Sequence, residues 1–193
     1  MCDCGITKPL AVSIVKFKKT YLRNLSEIYM VSDTSKLSLL GAGSTNYEYS
    51  SPTADLLEVF DNPRPEVPFV IGLDCLEFTS LCPMTGQPDY GSIYIDYVGD
   101  KLCVESKSLK LYLVSYRNHG AFHEDCVNSI ADDIVAKINP LYLRVFGDFN
   151  VRGGIAIKPL TIRRNSPMAS ELRDEIAELF ASFDRLSARG PRG

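Results

Sequence analysis

GSIYIDYVGDKLCV, residues 91–104, is the stretch that decides the fold class. Apolar and polar side chains alternate up to Val98, the dipeptide Gly99-Asp100 interrupts them, and a second short β-rich piece follows. Alternation with a period of two is typical of a strand with one buried face, and glycine beside aspartate favours a tight turn. The stretch therefore predicts two consecutive antiparallel strands.

The sequence on either side extends this pattern into an α+β fold. An amphipathic stripe near the end predicts a C-terminal helix over residues 166–188, opened by Ser166-Pro167. The order of elements is typical of an antiparallel sheet with helices on one face. The remaining predicted elements are strands over residues 67–78, 141–149 and 154–162 and helices over residues 108–116 and 122–138.

Composition limits the classes of protein that this chain can belong to. Its 193 residues are 45% hydrophobic and 23% charged, as expected for one globular domain. No apolar run approaches the roughly 20 residues that a membrane span needs, and the six cysteines lack the regular spacing of a disulfide scaffold. We therefore expect a cytoplasmic protein with reduced thiols.

Charge divides the chain into two parts. Residues 1–36 carry six basic and three acidic groups, which leaves the rest of the chain with a net charge of -6. An acidic body makes direct binding of nucleic acid unexpected. We interpret residues 1–36 as an N-terminal extension, expected to be poorly ordered, and residues 37–193 as a single domain.

FTSLCPMTGQPDY, residues 78–90, places a thiol and a carboxyl group on one stiff loop. Two prolines and a glycine separate Cys82 from Asp89, so the loop between the two predicted strands is irregular and restrained. Covalent addition to an electrophilic carbon requires at least a nucleophile and a proton donor close to it. A buried structural cysteine and an aspartate in a turn are the common alternative, and these residues alone favour it.

Charged residues further along the chain indicate a site for an anion. Glu105 ends a predicted strand, and Lys107 and Lys110 begin the next helix, where the helix dipole disfavours basic residues. A phosphate docked at the helix N-terminus would explain these lysines, and a solvated helix face explains them equally well.

Glu124 is suited to accept hydrogen bonds from a guanine-like edge.

Three other features are weaker. His119 and His123 lie four residues apart, but Gly120 interrupts the helix between them, so a metal site is not expected. Residues 41–43, Gly-Ala-Gly, begin like a dinucleotide fingerprint but lack its third glycine and a following helix. Arg152, before two glycines, could hold a phosphate.

Four motifs in this order resemble the 7-cyano-7-deazaguanine reductases of queuosine biosynthesis, in their short, single-module form. The similarity spans about residues 40–159 and implies a tunnelling fold, shared with type I GTP cyclohydrolase, in which homo-oligomeric rings carry active sites between subunits. The motifs are FTSLCPMTGQPDY at residues 78–90, ESKSLKLY at 105–112, RNHGAFHEDC at 117–126 and RGG at 152–154.

The resemblance also implies an activity and a role for each matching residue. The expected reaction reduces the nitrile of the nucleobase to an aminomethyl group through a covalent thioimide, with two NADPH molecules consumed as co-substrate and no metal. Cys82 corresponds to the nucleophile and Asp89 to the proton donor. The expected substrate-binding residues are Val104, Glu105, Ser106, His123 and Glu124, and the expected NADPH-binding residues are Ser106, Lys107, Arg152 and Gly153.

Two other functions remain open at this point. A zinc-dependent pterin or purine hydrolase of the same fold would use Cys82, Cys126 and a histidine as ligands. A non-catalytic, ring-forming protein would bind a purine-like ligand and consume no NADPH. Metal content and NADPH oxidation distinguish these functions from the reductase.

Overall fold

The computed structural model describes residues 37–38, 46–164 and 170–187. The predictions made for residues 1–36, for residues 41–43 and for the Ser166-Pro167 helix start lie outside these described residues.

The described residues form an antiparallel α+β structure, which confirms the predicted fold class. One sheet has four strands, in the spatial order Val70–Leu81, Pro88–Val98, Tyr142–Phe149 and Leu160–Arg164, and a second, two-stranded sheet pairs Val59–Asp61 with Leu102–Val104. None of the helices within the described ranges is both long and apolar enough to cross a membrane. The strands are β1 Val59–Asp61, β2 Val70–Leu81, β3 Pro88–Val98, β4 Leu102–Val104, β5 Tyr142–Phe149 and β6 Leu160–Arg164, and the helices are α1 Ser106–Val114, α2 His123–Ile138 and α3 Ser170–Leu186.

Alternation along β3 and β5 separates the two faces of the larger sheet. Ile93, Ile95 and Tyr97 of β3 are almost completely buried, and they join the side chains of α1 and α2 in the main core. Burial of each such side chain contributes about 1.5–3 kcal/mol relative to exposure. The stretch at residues 91–98 therefore forms the central strand under the two helices, as its pattern predicts.

The C-terminal helix lies on the opposite face of the sheet, which differs from the expectation that all helices share one face. Its Ile176 and Phe180 form a second, smaller core with Val98. Arg144 of β5 joins this face to the helix, because it is hydrogen-bonded to the buried Asp96, at 2.8 Å, and to Asp184 of α3. The apolar stripe of α3 thus covers a face that α1 and α2 leave open.

Several boundaries differ from the sequence prediction by a few residues, and two of these differences have a local reason. β2 continues to Leu81, three residues beyond the predicted end, because pairing with β3 resumes after a bulge between Cys75 and Phe78. β6 begins at Leu160 rather than at residue 154. A tight turn comes first, in which the backbones of Arg152 and Ile155 hydrogen-bond to each other at 3.0 and 3.1 Å.

Replacing Gly147 with alanine should destabilise the fold, because β5 and α2 approach each other closely at this glycine. A Cβ atom there would lie 2.7 Å from a ring carbon of Phe149 and 2.8 Å from a methyl group of Val127. We expect Gly147→Ala to lower the free energy of unfolding by about 1–3 kcal/mol, as overpacking usually does. Urea unfolding measures this loss, and a stability equal to that of the wild type would contradict the expected clash.

Candidate active site

The loop that carries Cys82 is a short, closed turn between β2 and β3. The Cys82 amide donates to the Gln87 carbonyl at 2.9 Å, and the Gly86 amide donates to the Cys82 carbonyl at 2.9 Å. Gly86 has a φ of 67°, a left-handed conformation that glycine adopts without steric cost. The irregular loop predicted from the sequence is therefore present, and its backbone fixes the position of Cys82.

Asp89 is the buried carboxylate at the centre of the site. It lies near the start of β3, opposite Ser80 of β2, and is only 6% exposed. Nη1 of Arg152 donates to its Oδ1, and Nε2 of His123 lies 3.3 Å from its Oδ2. A buried carboxylate is costly unless cationic or hydrogen-bonding groups compensate it, and Arg152 does so by an ion pair. The His123 ring approaches the carboxylate without a hydrogen bond from its Nε2.

The motif at residues 117–126, RNHGAFHEDC, is hydrogen-bonded directly to the end of β2, the strand that precedes Cys82. The Leu81 amide donates to the His119 carbonyl at 2.9 Å, and the Ala121 amide donates to the Leu81 carbonyl at 3.1 Å. His123, the first residue of α2, packs its ring on Phe149 with a centroid distance of 4.0 Å. These contacts bring Cys82, Asp89, His123 and Arg152, which belong to three motifs distant in sequence, into one site.

Two cysteines of the motifs differ in chemical character. A hydrogen bond from the Thr85 hydroxyl lowers the pKa of the Cys82 thiol to about 7, with further contributions from the backbone amides of Met84 and Thr85 and from Arg152. Burial instead raises the pKa of Cys126 to about 11. Since the thiolate is the nucleophilic form, the surroundings of Cys82 favour a nucleophilic sulfur near neutral pH, whereas those of Cys126 favour the neutral thiol.

Glu105 lies elsewhere in the fold, where its carboxylate caps the N-terminus of α1. It accepts hydrogen bonds from the amides of Lys107 and Ser108, at 2.9 and 2.7 Å, and is 6% exposed. Two of the N–H groups expected to receive a phosphate are therefore already occupied. An anion at the start of α1 would have to be bound by side chains, those of Ser106 and Lys107.

The other predicted binding residues differ in accessibility. The side chain of Val104 packs in the main core, so only its backbone is available to a ligand. Glu124 is exposed next to His123, and Gly153 is exposed next to Arg152. Ser106 lines a cavity of about 500 Å³ between β2 and α1, together with Lys110.

No group of three histidine, cysteine or acidic side chains in the described part of the chain is arranged to hold a metal ion. The zinc-hydrolase alternative, which requires Cys82, Cys126 and a histidine as ligands, therefore has no support in this region.

Sequence reasoning missed two features of the site. Thr85 lies inside the quoted motif but received no role, although a hydroxyl three residues after a cysteine in a glycine-closed loop is a usable signal. Arg152 was expected to bind a cofactor, yet the structure places its guanidinium on Asp89. The sequence contains no signal for that contact, because 63 residues separate the two side chains.

Replacing Glu105 with alanine should lower stability, because a buried and a partly buried amide group at the start of α1 would lose their acceptor. Loss of a helix cap typically costs about 0.5–2 kcal/mol, and Glu105→Gln should cost less because one side-chain oxygen remains. Urea unfolding of both variants measures the difference. If Glu105→Ala is as stable as the wild type, the carboxylate does not serve as a cap.

Comparisons with known proteins agree on one family. A family model described as QueF-like protein matches residues 88–167. The NADPH-dependent 7-cyano-7-deazaguanine reductase of Streptococcus thermophilus (strain ATCC BAA-491 / LMD-9) is 58% identical over 125 residues, which are 64% of this chain and 75% of that protein. The protein of the same name from Helicobacter pylori (strain Shi470) is 58% identical over 127 residues, which are 65% of this chain and 85% of that protein.

Among solved structures, the crystal structure of the archaeosine synthase QueF-Like in the apo form matches with a TM-score of 0.48 and 20% identity. That match covers 53% of this chain and 100% of the archaeosine synthase chain. The sequence relatives decide the assignment, because they are more than half identical over at least three quarters of their own length. The chain belongs to the family of NADPH-dependent 7-cyano-7-deazaguanine reductases.

Proposed function

We propose that this protein uses NADPH to reduce the nitrile of 7-cyano-7-deazaguanine to the aminomethyl group, in the biosynthesis of queuosine in tRNA. The observation that carries the proposal is a thiol with a pKa of about 7, Cys82, which shares Arg152 as a partner with the buried carboxylate of Asp89. The names of the relatives support the substrate and the reductant. NADPH acts as a co-substrate, with two molecules consumed per turnover.

Addition of Cys82 to the nitrile would be the first step. The thiol proton passes to Asp89, and the sulfur forms a bond to the nitrile carbon. Asp89 then gives that proton to the nitrile nitrogen, which completes a neutral thioimide. His123 and Arg152 both contact Asp89, so they are placed to stabilise its carboxylate form before the first proton transfer and after the second.

Two reductions would follow on the same carbon. The first hydride, together with a proton, converts the thioimide into an amine that is still bound to Cys82 through sulfur. The carbon–sulfur bond then breaks, the sulfur leaves with the bonding electrons and takes a proton from the nitrogen, and a neutral imine forms. The second hydride, with a proton, gives the primary amine and restores the free Cys82.

Binding of the two substrates would use both groups of candidate residues. We assign the nucleobase to His123, Glu124 and the β4–α1 junction, where Val104, Glu105 and Ser106 lie. We assign the phosphates of NADPH to the side chains of Ser106 and Lys107 and to the Arg152-Gly153 turn. Glu105 can take part only through oxygen lone pairs that its two amide hydrogen bonds leave available.

A homo-oligomer with sites between subunits belongs to the same proposal. Glu124, Ser106 and Gly153 are exposed in the single chain, so a neighbouring copy could complete the nucleobase and cofactor sites. A cytoplasmic location fits the free state of the described cysteines Cys75, Cys82, Cys103 and Cys126.

Replacing Cys82 with alanine should abolish NADPH oxidation. Without this nucleophile the nitrile cannot form the thioimide that accepts hydride from NADPH. Nucleobase binding should persist, since the polar groups expected to read its edge remain. Intact-protein mass spectrometry with the nitrile alone should show an adduct of the mass of the whole ligand on the wild type and on Cys75→Ala, but not on Cys82→Ala. Turnover by Cys82→Ala would rule out the covalent mechanism.

Replacing Asp89 with asparagine should keep the shape of the site but remove its proton carrier. We expect single-turnover reduction to fall by about 100-fold or more, the usual scale of general acid catalysis, while the nitrile still binds. Stopped-flow measurement of NADPH oxidation across pH gives both the rate and its pH profile. Rates near those of the wild type with an unchanged profile would exclude Asp89 and leave His123 as the candidate donor.

A further inference from the structure

The turn after Cys82 directs several hydrogen-bond donors at one sulfur atom. The Gln87 amide donates to Oγ1 of Thr85 at 3.3 Å, so the oxygen of Thr85 is used as an acceptor within the turn. Its own hydrogen is then available to the Cys82 sulfur, and this hydroxyl, together with the backbone amides of Met84 and Thr85, lowers the pKa of the Cys82 thiol. The Gly86 amide donates to the Cys82 carbonyl at 2.9 Å, so residues 82–86 form a single helical turn, in which the amides two and three residues after Cys82 are directed toward its side chain.

We propose that these three donors, the Thr85 hydroxyl and the amides of Met84 and Thr85, form a thiolate cradle that stabilises negative charge on the Cys82 sulfur. Thr85 is the positioning residue of this cradle, and its side chain need not touch either substrate. The proposal deepens the reductase function and rests on it wherever it concerns the reaction. The existence of the cradle itself depends only on the geometry of the turn.

The proposed reaction places negative charge on this sulfur twice. The first time is before addition, when the thiol loses its proton and attacks the nitrile carbon. The second time is after the first hydride transfer, when the carbon–sulfur bond breaks and the sulfur departs with the electron pair. Fixed donors that stabilise the thiolate would help at both moments, because they accelerate formation of the nucleophile and also improve the leaving group.

Charged groups near Cys82 act in addition to the cradle. Arg152 contacts the sulfur from the β5–β6 connection, while Asp89 lies on β3. His123 and the buried Cys126 face the site from α2. Arg152 is shared with Asp89 and is 39% exposed on its side chain, so salt and a bound phosphate can weaken its effect. Thr85 is neutral, and its contribution should therefore persist at high salt.

Alkylation of Cys82 by iodoacetamide across pH tests the cradle without any substrate. In the wild type the rate should rise with a midpoint near pH 7, since only the thiolate reacts. Thr85→Val keeps the shape but removes the donor, and should raise the midpoint by about one pH unit, so that the rate at pH 7 falls about fivefold. The rates should converge above pH 9.

Two further variants separate the donor from the structure of the turn. Thr85→Ser keeps the hydroxyl and should restore the wild-type profile, whereas Thr79→Val removes a hydroxyl from the adjacent strand β2 and should leave the profile unchanged. Peptide mapping by mass spectrometry confines the measurement to Cys82. A wild-type midpoint in Thr85→Val, or a failure of Thr85→Ser to restore it, would overturn the proposal.

A second measurement tests the role of the cradle in expulsion of the sulfur. At pH 9.5, with the nitrile and NADPH, Thr85→Val should form the thioimide at the wild-type rate but accumulate an adduct heavier than the thioimide by two hydrogens. Absence of this species, with normal turnover, would overturn the leaving-group role. If the wild type forms no adduct with the nitrile, the proposed function fails, while the alkylation profile still decides on the cradle.

Discussion

The buried carboxylate of Asp89 imposes the constraint on which the arrangement of the site depends. An ionised carboxylate at 6% exposure is tolerated only where fixed partners replace the water that it has lost. Arg152 comes from the connection between β5 and β6, and His123 comes from the first turn of α2. The ion pair with Arg152 therefore joins a strand to a turn, and the close approach of His123 adds a helix to the same site. The ion pair also places a guanidinium beside Cys82.

The four-stranded sheet holds the site in place because both of its faces are packed against helices. Ile93, Ile95 and Tyr97 hold β3 against α1 and α2, while Asp96 and Val98 on the alternate face engage Arg144 and α3. Asp89 is the second residue of the same strand, so a well-packed element fixes its position. Sites built on such elements keep their geometry better than sites built on loops alone.

The sequence predicts much of this structure, and the exceptions have physical causes. The pattern of residues 91–98 predicts β3 because burial on one face leaves a period of two, and the loop at Cys82 follows from its prolines and glycine. The sequence did not predict β1, Val59–Asp61, because three residues are too few to show the periodicity of a strand. Its partner β4 is also distant in sequence, since the central pair, Phe60 and Cys103, is 43 residues apart. The proposed catalytic pair, Cys82 and Asp89, was assigned through family resemblance, since a cysteine and an aspartate seven residues apart are more often structural. Contacts such as Arg152 with Asp89 depend on tertiary packing that no local pattern encodes.

The position of α3 determines which part of the described structure unfolds locally most readily. This helix is attached to the sheet through the small core of Ile176, Phe180 and Val98 and through the ion pair between Arg144 and Asp184, and much of its remaining surface is exposed. An element with so few buried contacts can detach locally at a lower free energy than global unfolding requires. Its amide hydrogens would then exchange with solvent well before those of β3 and β5. Because the sheet lies between α3 and α2, such excursions would leave the environment of Cys82 and Asp89 intact.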